Sequence, residues 1–207
     1  CCGKLVIATT DEERATLQIY ADTARRNGVR DLEWLTPAAV AALEPAVRCT
    51  AALWSPSTGI VSSHELMQAL LGDLESQRGT LACHAEVVGA CLARDVHVVR
   101  VRHDATDSEL TTRLLVNAAG LHAQSLAHRF EGLDADTIPP LYLAKGQYFT
   151  LQGRAPFNHL VYPVASSAGL GIHVTLDLAG GVRFGPDVEW VSAIDYSVDG
   201  SRRETFA

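Results

Sequence analysis

Two places in this chain carry residue types and spacings suited to chemistry. The first is Asn117-Ala118-Ala119-Gly120, between Leu114-Leu115-Val116 and the run Leu121 to Arg129. It reads as a buried strand, a small-residue turn and a helix: apolar β-formers reach Val116, and Ala118, Ala119 and Gly120 remove bulk at the turn. The N–H groups that open such a helix face an anionic ligand, and the helix dipole favours its negative charge. A tight strand–helix connection in any α/β protein would read the same way. The second place is His173 in Gly171-Ile172-His173-Val174-Thr175. In a strand, residues 171, 173 and 175 share one face. Small Gly171 and polar Thr175 make that face a pocket wall, and Ile172, Val174 and Leu176 make the other a core face. A neutral imidazole suits a proton transfer near neutral pH; a hydrogen-bonded structural histidine is the alternative.

Lys145, Gln147 and Tyr148 open a strand after the break at Pro139-Pro140. A cation and an amide on one face suit a carboxylate, whereas a solvated lysine at a strand start is the plainer reading. Tyr162, before Pro163, either points its hydroxyl into the same cavity or bonds backbone as a buried tyrosine. The other histidines show no H-E-x-x-H or H-x-x-E-H spacing, so no metal site is expected. Five cysteines without a C-x-x-C pair are expected to be mostly buried or inert thiols of a reducing compartment. Adjacent Cys1 and Cys2 have no second cluster to join.

The usual dinucleotide fingerprint, Gly-x-Gly-x-x-Gly, does not occur; the nearest match, Gly169-Leu170-Gly171, lacks the third glycine. A net charge of −7 with no basic run argues against nucleic acid as a partner. No apolar run approaches the ~20 residues that span a bilayer. A cytoplasmic protein is expected, peripheral to the inner membrane at most. At 207 residues, 47% of them hydrophobic, the chain can build one large core or two small ones. It opens on Cys1 and enters a strand at once, and it closes on a helix-like start at Ser201, so both ends read as cut and the chain as a fragment.

The elements that must position these residues follow from caps and periodicity. Thr10 with Glu13 forms a capping box for a helix ending at Gly28. Thr36-Pro37 opens a second helix that Pro45 stops. Ser62 with Glu65 caps a third, carrying Leu66, Leu70 and Leu74. Strands are expected at Gly3–Thr10, Asp31–Leu35, Ala51–Trp54, Leu81–Val88, Val96–Arg102 and Glu109–Asn117, then a helix over 121–130. Further strands follow at Gln147–Leu151, Leu160–Tyr162, Gly171–Leu176 and Val182–Gly185. The alternation of α/β and all-β stretches predicts a mixed α/β fold whose main sheet takes strands from both sides of residue 117.

Five motifs in order carry a resemblance: Thr58-Gly59-Ile60-Val61-Ser62, Asn117-Ala118-Ala119-Gly120, Lys145-Gly146-Gln147-Tyr148-Phe149, Val161-Tyr162-Pro163-Val164 and Gly171-Ile172-His173-Val174-Thr175. From about residue 3 to 196 the chain resembles the middle of an FAD-dependent oxidoreductase of the D-amino-acid-oxidase-like superfamily, in particular its L-2-hydroxyglutarate dehydrogenase/oxidase branch. The resemblance implies part of a GR2-type FAD-binding domain interleaved with a β-rich substrate-binding domain. Residues 1–78 and 131–207 would belong to the substrate domain and 79–130 to the FAD domain.

It implies FAD as cofactor, approached by backbone near Val88, by Asn117, Ala118, Ala119 and Gly120, and at the flavin edge by Gly59, which is otherwise only a turn residue. It implies a small carboxylate substrate, a 2-hydroxy acid such as L-2-hydroxyglutarate, with His173 as base and Lys145, Gln147, Tyr162 and Thr175 around the substrate. Quinone or oxygen would take the electrons. The rival readings are a truncated, inactive domain or small-molecule-binding module, and amine oxidation of the D-amino-acid-oxidase kind. A nicotinamide cofactor is disfavoured because no acidic residue follows a glycine-rich turn at the required distance. Without the glycine-rich turn, residues 1–207 alone are expected to be colourless and inactive.

Overall fold

A computed structural model of the chain describes residues 1–165 and 171–206; Gly169 and Leu170 of the near-fingerprint lie outside them. The elements run β1 (Lys4–Ala8), α1 (Asp11–Arg26), β2 (Glu33–Leu35), α2 (Pro37–Leu43), β3 (Ala51–Ser55) and α3 (Ser63–Ser76). Next come β4 (Ala85–Cys91), β5 (His97–His103), β6 (Thr106–Thr112), α4 (Ala123–Ala127) and β7 (Phe130–Glu131). The chain continues with β8 (Leu143–Lys145), β9 (Phe149–Thr150), β10 (Leu160–Pro163), β11 (His173–Leu176), β12 (Val182–Gly185) and β13 (Glu189–Val191). A 3-10 turn over Gly200–Phe206 closes it.

Two compact units result. The first gathers Cys1–Leu66, Ala144–Val191 and Asp195–Ala207; the second gathers Met67–Leu143 and Ser192–Ile194. In the first, a seven-stranded sheet runs β2-β3-β1-β10-β11-β12-β9, so strands from both sides of residue 117 share it, as the alternation predicts. Only β1 and β10 pair in parallel there; the other ladders are antiparallel. Alternation along the strands divides the core. Leu5, Val161, Val174 and Val182 pack on one face with Val40 of α2. Leu53 and Ala8 pack on the other with Leu17 and Ala21 of α1. Beneath the first face, Glu44 is fully buried at the end of α2. It accepts a bond from the Asn158 N–H at 2.8 Å and contacts His159 Nδ1 at 2.6 Å.

The second unit is a four-stranded sheet, β6-β5-β4-β7, with Ala90, Val99 and Val101 as its core. Three local expectations fail here for local reasons. Residues 81–84 do not join β4, because His84 adopts a φ of 55°, outside the extended region. Leu114 to Val116 form neither a strand nor a buried run: Leu114 is 76% and Val116 73% exposed. Thr112 turns the chain out of the ladder, its hydroxyl donating to the Leu114 carbonyl at 2.8 Å and accepting from the Leu114 N–H. The helix expected over 121–130 is shortened to one 3-10 turn (Gly120–His122) and α4, since Phe130 already pairs with Ala90 in β7. All five cysteines are free thiols, but Cys1, Cys83 and Cys91 are exposed rather than buried.

The helix starts follow the caps. Thr10 and Glu13 form a reciprocal capping box on α1. Hydrogen bonds from Thr9 hold the Glu13 carboxyl below its ordinary pKa. Thr10→Ala is expected to cost about 1 kcal/mol in urea unfolding. The carboxylate half of the box, which accepts from Thr9 and the Thr10 N–H, is lost separately in both proteins as pH falls through the lowered Glu13 pKa.

Candidate active site

The candidate residues of the first unit lie on the face of the sheet that carries Val6 and Ala8, the side on which Leu17 and Ala21 of α1 pack. Register sets which side chains meet. Val6 pairs with Tyr162, Val161 with Val174, and His173 with Gly185. Tyr162 and His173 therefore stand side by side on neighbouring strands and stack, ring centroids 3.9 Å apart and planes 19° from parallel. On the far side of His173, Gly185 presents no side chain. A Cβ there would lie 2.5 Å from the Gln147 carbonyl oxygen and 2.9 Å from the Tyr148 ring, and its φ of 138° suits glycine alone. The Tyr148 ring uses that gap to approach His173 edge-on at 6.5 Å.

His173 is 5% exposed, and its Nδ1 lies 3.1 Å from the Gly171 carbonyl oxygen. A carbonyl can only accept, so Nδ1 carries the proton and the lone pair of the neutral ring is at Nε2. Burial holds the imidazole pKa below its ordinary value; the Gly171 bond opposes this and the charge of Lys4 adds to it. The ring is thus neutral, of fixed tautomer and packed on both flanks. Gly171 itself has a φ of 72°, and a Cβ there would meet Pro163 Cγ at 2.9 Å, so the loop that aims the carbonyl at His173 needs glycine. Burial also pushes the Tyr148 phenol up, keeping it protonated.

The remaining residues singled out from the sequence divide into two groups. Tyr162 and Thr175 share the His173 face, Thr175 being paired with Arg183. Lys145 and Gln147 take other partners. The Lys145 ammonium donates to Asp195 at 2.6 Å and to Ser197 at 3.3 Å; this cation and two bonds from Ser197 hold the Asp195 carboxyl far below its usual range. Gln147 is buried, its backbone N–H bound to Asp187 at 2.8 Å and its side-chain oxygen to the Asp199 N–H at 2.6 Å. Asp187, also buried, is held in turn by Arg202. Gly59 sits in the turn after β3, close to the Cys1 backbone. Tyr148 and Lys4 were not singled out as site residues. A basic residue opening the apolar run of β1, on the parity of Val6, is the sequence signal for Lys4.

In the second unit a cavity of about 430 Å³ is lined by Glu86, Val87, residues 115–119 and Arg129, among others. Asn117 staples its wall, donating to the Ala123 carbonyl at 2.8 Å and accepting from the Ala119 N–H at 3.3 Å. Gly120, with a φ of 56°, turns the chain beside it. The β4–β5 ladder shifts register between Val87 and Gly89, so Val88 occupies a bulge and its backbone is freed from that ladder.

Along its whole length, residues 1–207, the chain matches the family described as FAD dependent oxidoreductase, DAO. It is 35% identical to the mitochondrial L-2-hydroxyglutarate dehydrogenase of Arabidopsis thaliana, over 99% of this chain and 50% of that protein. It is 29% identical to the L-2-hydroxyglutarate dehydrogenase of Escherichia coli (strain K12), over 100% of this chain and 47% of that protein. The chain thus spans about half the length of these relatives. Its fold is similar to that of L-proline dehydrogenase from P. horikoshii, with a TM-score of 0.78 at 19% identity over 98% of this chain and 53% of that one. It is also similar to FAD-bound L-alpha-glycerophosphate oxidase from Mycoplasma pneumoniae, with a TM-score of 0.76 at 20% identity over 97% and 51%. The described residues contain no helix long and apolar enough to cross a membrane. With every residue of the chain inside the family match and the sheet of that fold present, the chain belongs to the FAD dependent oxidoreductase family.

Proposed function

We propose that the protein containing this chain oxidises a small 2-hydroxy acid to the 2-oxo acid, with L-2-hydroxyglutarate as the leading substrate and His173 as the proton acceptor. The observation that carries this reading is the buried His173 ring, neutral and held by the Gly171 carbonyl with its basic nitrogen at Nε2. Identity of 35% to a protein named for that substrate supports it. Oxidation at the α-carbon requires the hydroxyl proton to leave as the carbon gives up hydride, and an imidazole with a lowered pKa is already in the form that accepts it. Tyr162 keeps water off one face of the ring, and Thr175 extends the polar wall along the strand.

Bound FAD supplies the two-electron acceptor for this chemistry. The residues present fit its nucleotide end. The 430 Å³ cavity has the volume of a nucleoside site, Glu86 offers a carboxylate to ribose hydroxyls, and the small residues Ala118, Ala119 and Gly120 admit close backbone approach. The freed backbone at Val88 suits an adenine edge. A cavity of this size takes only part of a dinucleotide, so residues 1–207 alone would hold flavin weakly.

The test is anaerobic mixing of the full-length, flavin-loaded protein with L-2-hydroxyglutarate, its D-enantiomer and the corresponding amino acid. Bleaching of flavin absorbance by the L-hydroxy acid alone is the expected result; bleaching by the amino acid alone would overturn the assignment in favour of amine oxidation. The pH profile has a defined sign. The active form is the neutral imidazole, so reduction should stay fast below the ordinary imidazole value of about 6.5 and fall only through the lowered pKa. Tyr162→Ala admits water to the ring and should move this acid limb to higher pH.

A further inference from the structure

The cation nearest the His173–Tyr162 pair is not the one the sequence suggests. Lys145 is held by Asp195. Lys4, on β1, has its Nζ 5.3 Å from the centroid of the Tyr162 ring. It shares the parity of Val6, which pairs with Tyr162, and so projects on the face that carries Tyr162 and His173. None of the ion pairs among the described residues involves Lys4. Strand order completes the arrangement: β10 lies between β1 and β11, so Tyr162 separates the ammonium of Lys4 from the imidazole of His173.

We propose that Lys4 binds the second carboxylate of a dicarboxylic 2-hydroxy acid and thereby sets the substrate's chain length, with Tyr162 as the spacer between cation and base. The assignment rests on the reading of His173 as proton acceptor. Its geometry follows from the sheet. Strands β1 and β11 are two strand spacings apart, roughly 9–10 Å. Lys4 pairs with Leu160, two residues along the strand from Tyr162, and its long side chain brings Nζ to 5.3 Å from the Tyr162 ring centroid, so cation and base stand on either side of that ring. Three carbons of a five-carbon diacid, C2 to C4, carry the chain across the Tyr162 edge from the hydroxyl at the base to the C5 carboxylate at Lys4. A 2-hydroxy monoacid of equal length reaches Lys4 with a methyl group and gains no ion pair.

The experiment uses the full-length, flavin-loaded protein and three variants, Lys4→Met, Lys4→Gln and Lys4→Arg, each checked for flavin content and melting temperature. Flavin reduction is followed by rapid mixing against concentration of L-2-hydroxyglutarate and of L-2-hydroxyvalerate, its analogue without the second carboxylate. Binding of unreactive glutarate is followed by perturbation of the flavin spectrum. Lys4→Met is expected to raise the half-saturating concentration of L-2-hydroxyglutarate at least tenfold and to weaken glutarate equally. The limiting reduction rate and the half-saturation for L-2-hydroxyvalerate should change less than twofold, and Lys4→Arg should recover most of the loss. Lys4→Gln replaces Lys4→Met if the latter fails to assemble. Unchanged glutarate and L-2-hydroxyglutarate binding overturns the proposal, as does equal weakening of both hydroxy acids. If the unaltered protein reduces its flavin with no 2-hydroxy acid, the function reading fails, and the glutarate titration still decides the role of Lys4.

Discussion

Replacing His173 by alanine in the flavin-loaded protein is expected to slow flavin reduction by L-2-hydroxyglutarate ~10²-fold or more. The size follows from the position of the basic nitrogen. With Nδ1 committed to the Gly171 carbonyl, Nε2 is the only basic atom of a ring that Tyr162 shields on one face, and water cannot take its place without opening the stack. Alanine also leaves the Gly171 carbonyl without its donor and bares the Tyr162 face, so a structural loss could imitate a chemical one. His173→Asn separates the two: its amide N–H can serve the carbonyl, and it has no basic nitrogen. Both variants should hold flavin and retain the melting temperature to within a few degrees while losing the reaction. Near-normal reduction by His173→Asn would show that the ring is a packing element and that the proton goes elsewhere.

The largest expected effect on stability lies on the other face of the sheet. Glu44 is fully buried and serves two groups from the β10 approach, the Asn158 N–H and His159 Nδ1, while Trp54 meets His159 edge-on at 5.0 Å. Glu44→Ala removes a fully buried acceptor from the part-buried Asn158 N–H and His159 Nδ1 and opens a cavity under the sheet, at a cost of about 3 kcal/mol. For a chain of this length that corresponds to roughly 6–12 °C in melting temperature. Glu44→Gln retains one carbonyl acceptor and should cost distinctly less. Thermal unfolding followed by circular dichroism reads the difference, and equal melting temperatures for Glu44→Ala and the unaltered chain would refute this account.

Where side chains act on their own backbone, the sequence was a good guide. Thr10 with Glu13 and Thr36 with Pro37 start helices where their capping chemistry requires, and the two-residue period of Val161–Tyr162 and His173–Leu176 assigns Val161 and Val174 to the core and Tyr162 and His173 to the other face. Competition between local and ladder bonding was not legible. Leu114 and Val116 have strand-like composition, yet the Thr112 hydroxyl bonds Leu114 and removes the run from the sheet. Neither was the partner of a charged residue. Lys145 and Lys4 look equally available as text; only register and the fold of the last residues show that Asp195, 50 positions away, meets the first. Likewise, the stack of Tyr162 on His173 depends on an antiparallel ladder that no window of sequence contains.

The parallel pairing of β1 with β10, in which Lys4 meets Leu160, bears on the order in which the chain comes together. The centre of the main sheet joins segments more than 150 positions apart, and the Met67–Leu143 segment of the second unit lies between them in sequence. Closing so long a loop is entropically costly and intrinsically slow. During synthesis the β1–β3 ladder must wait, one edge of β1 unpaired, until β10 leaves the ribosome, whereas the β4–β6 meander can form from neighbours alone. An open apolar edge held that long is a template for intermolecular pairing. Aggregation during expression should therefore track residues 4–8 and be relieved by slower synthesis or chaperones rather than by changes in the meander.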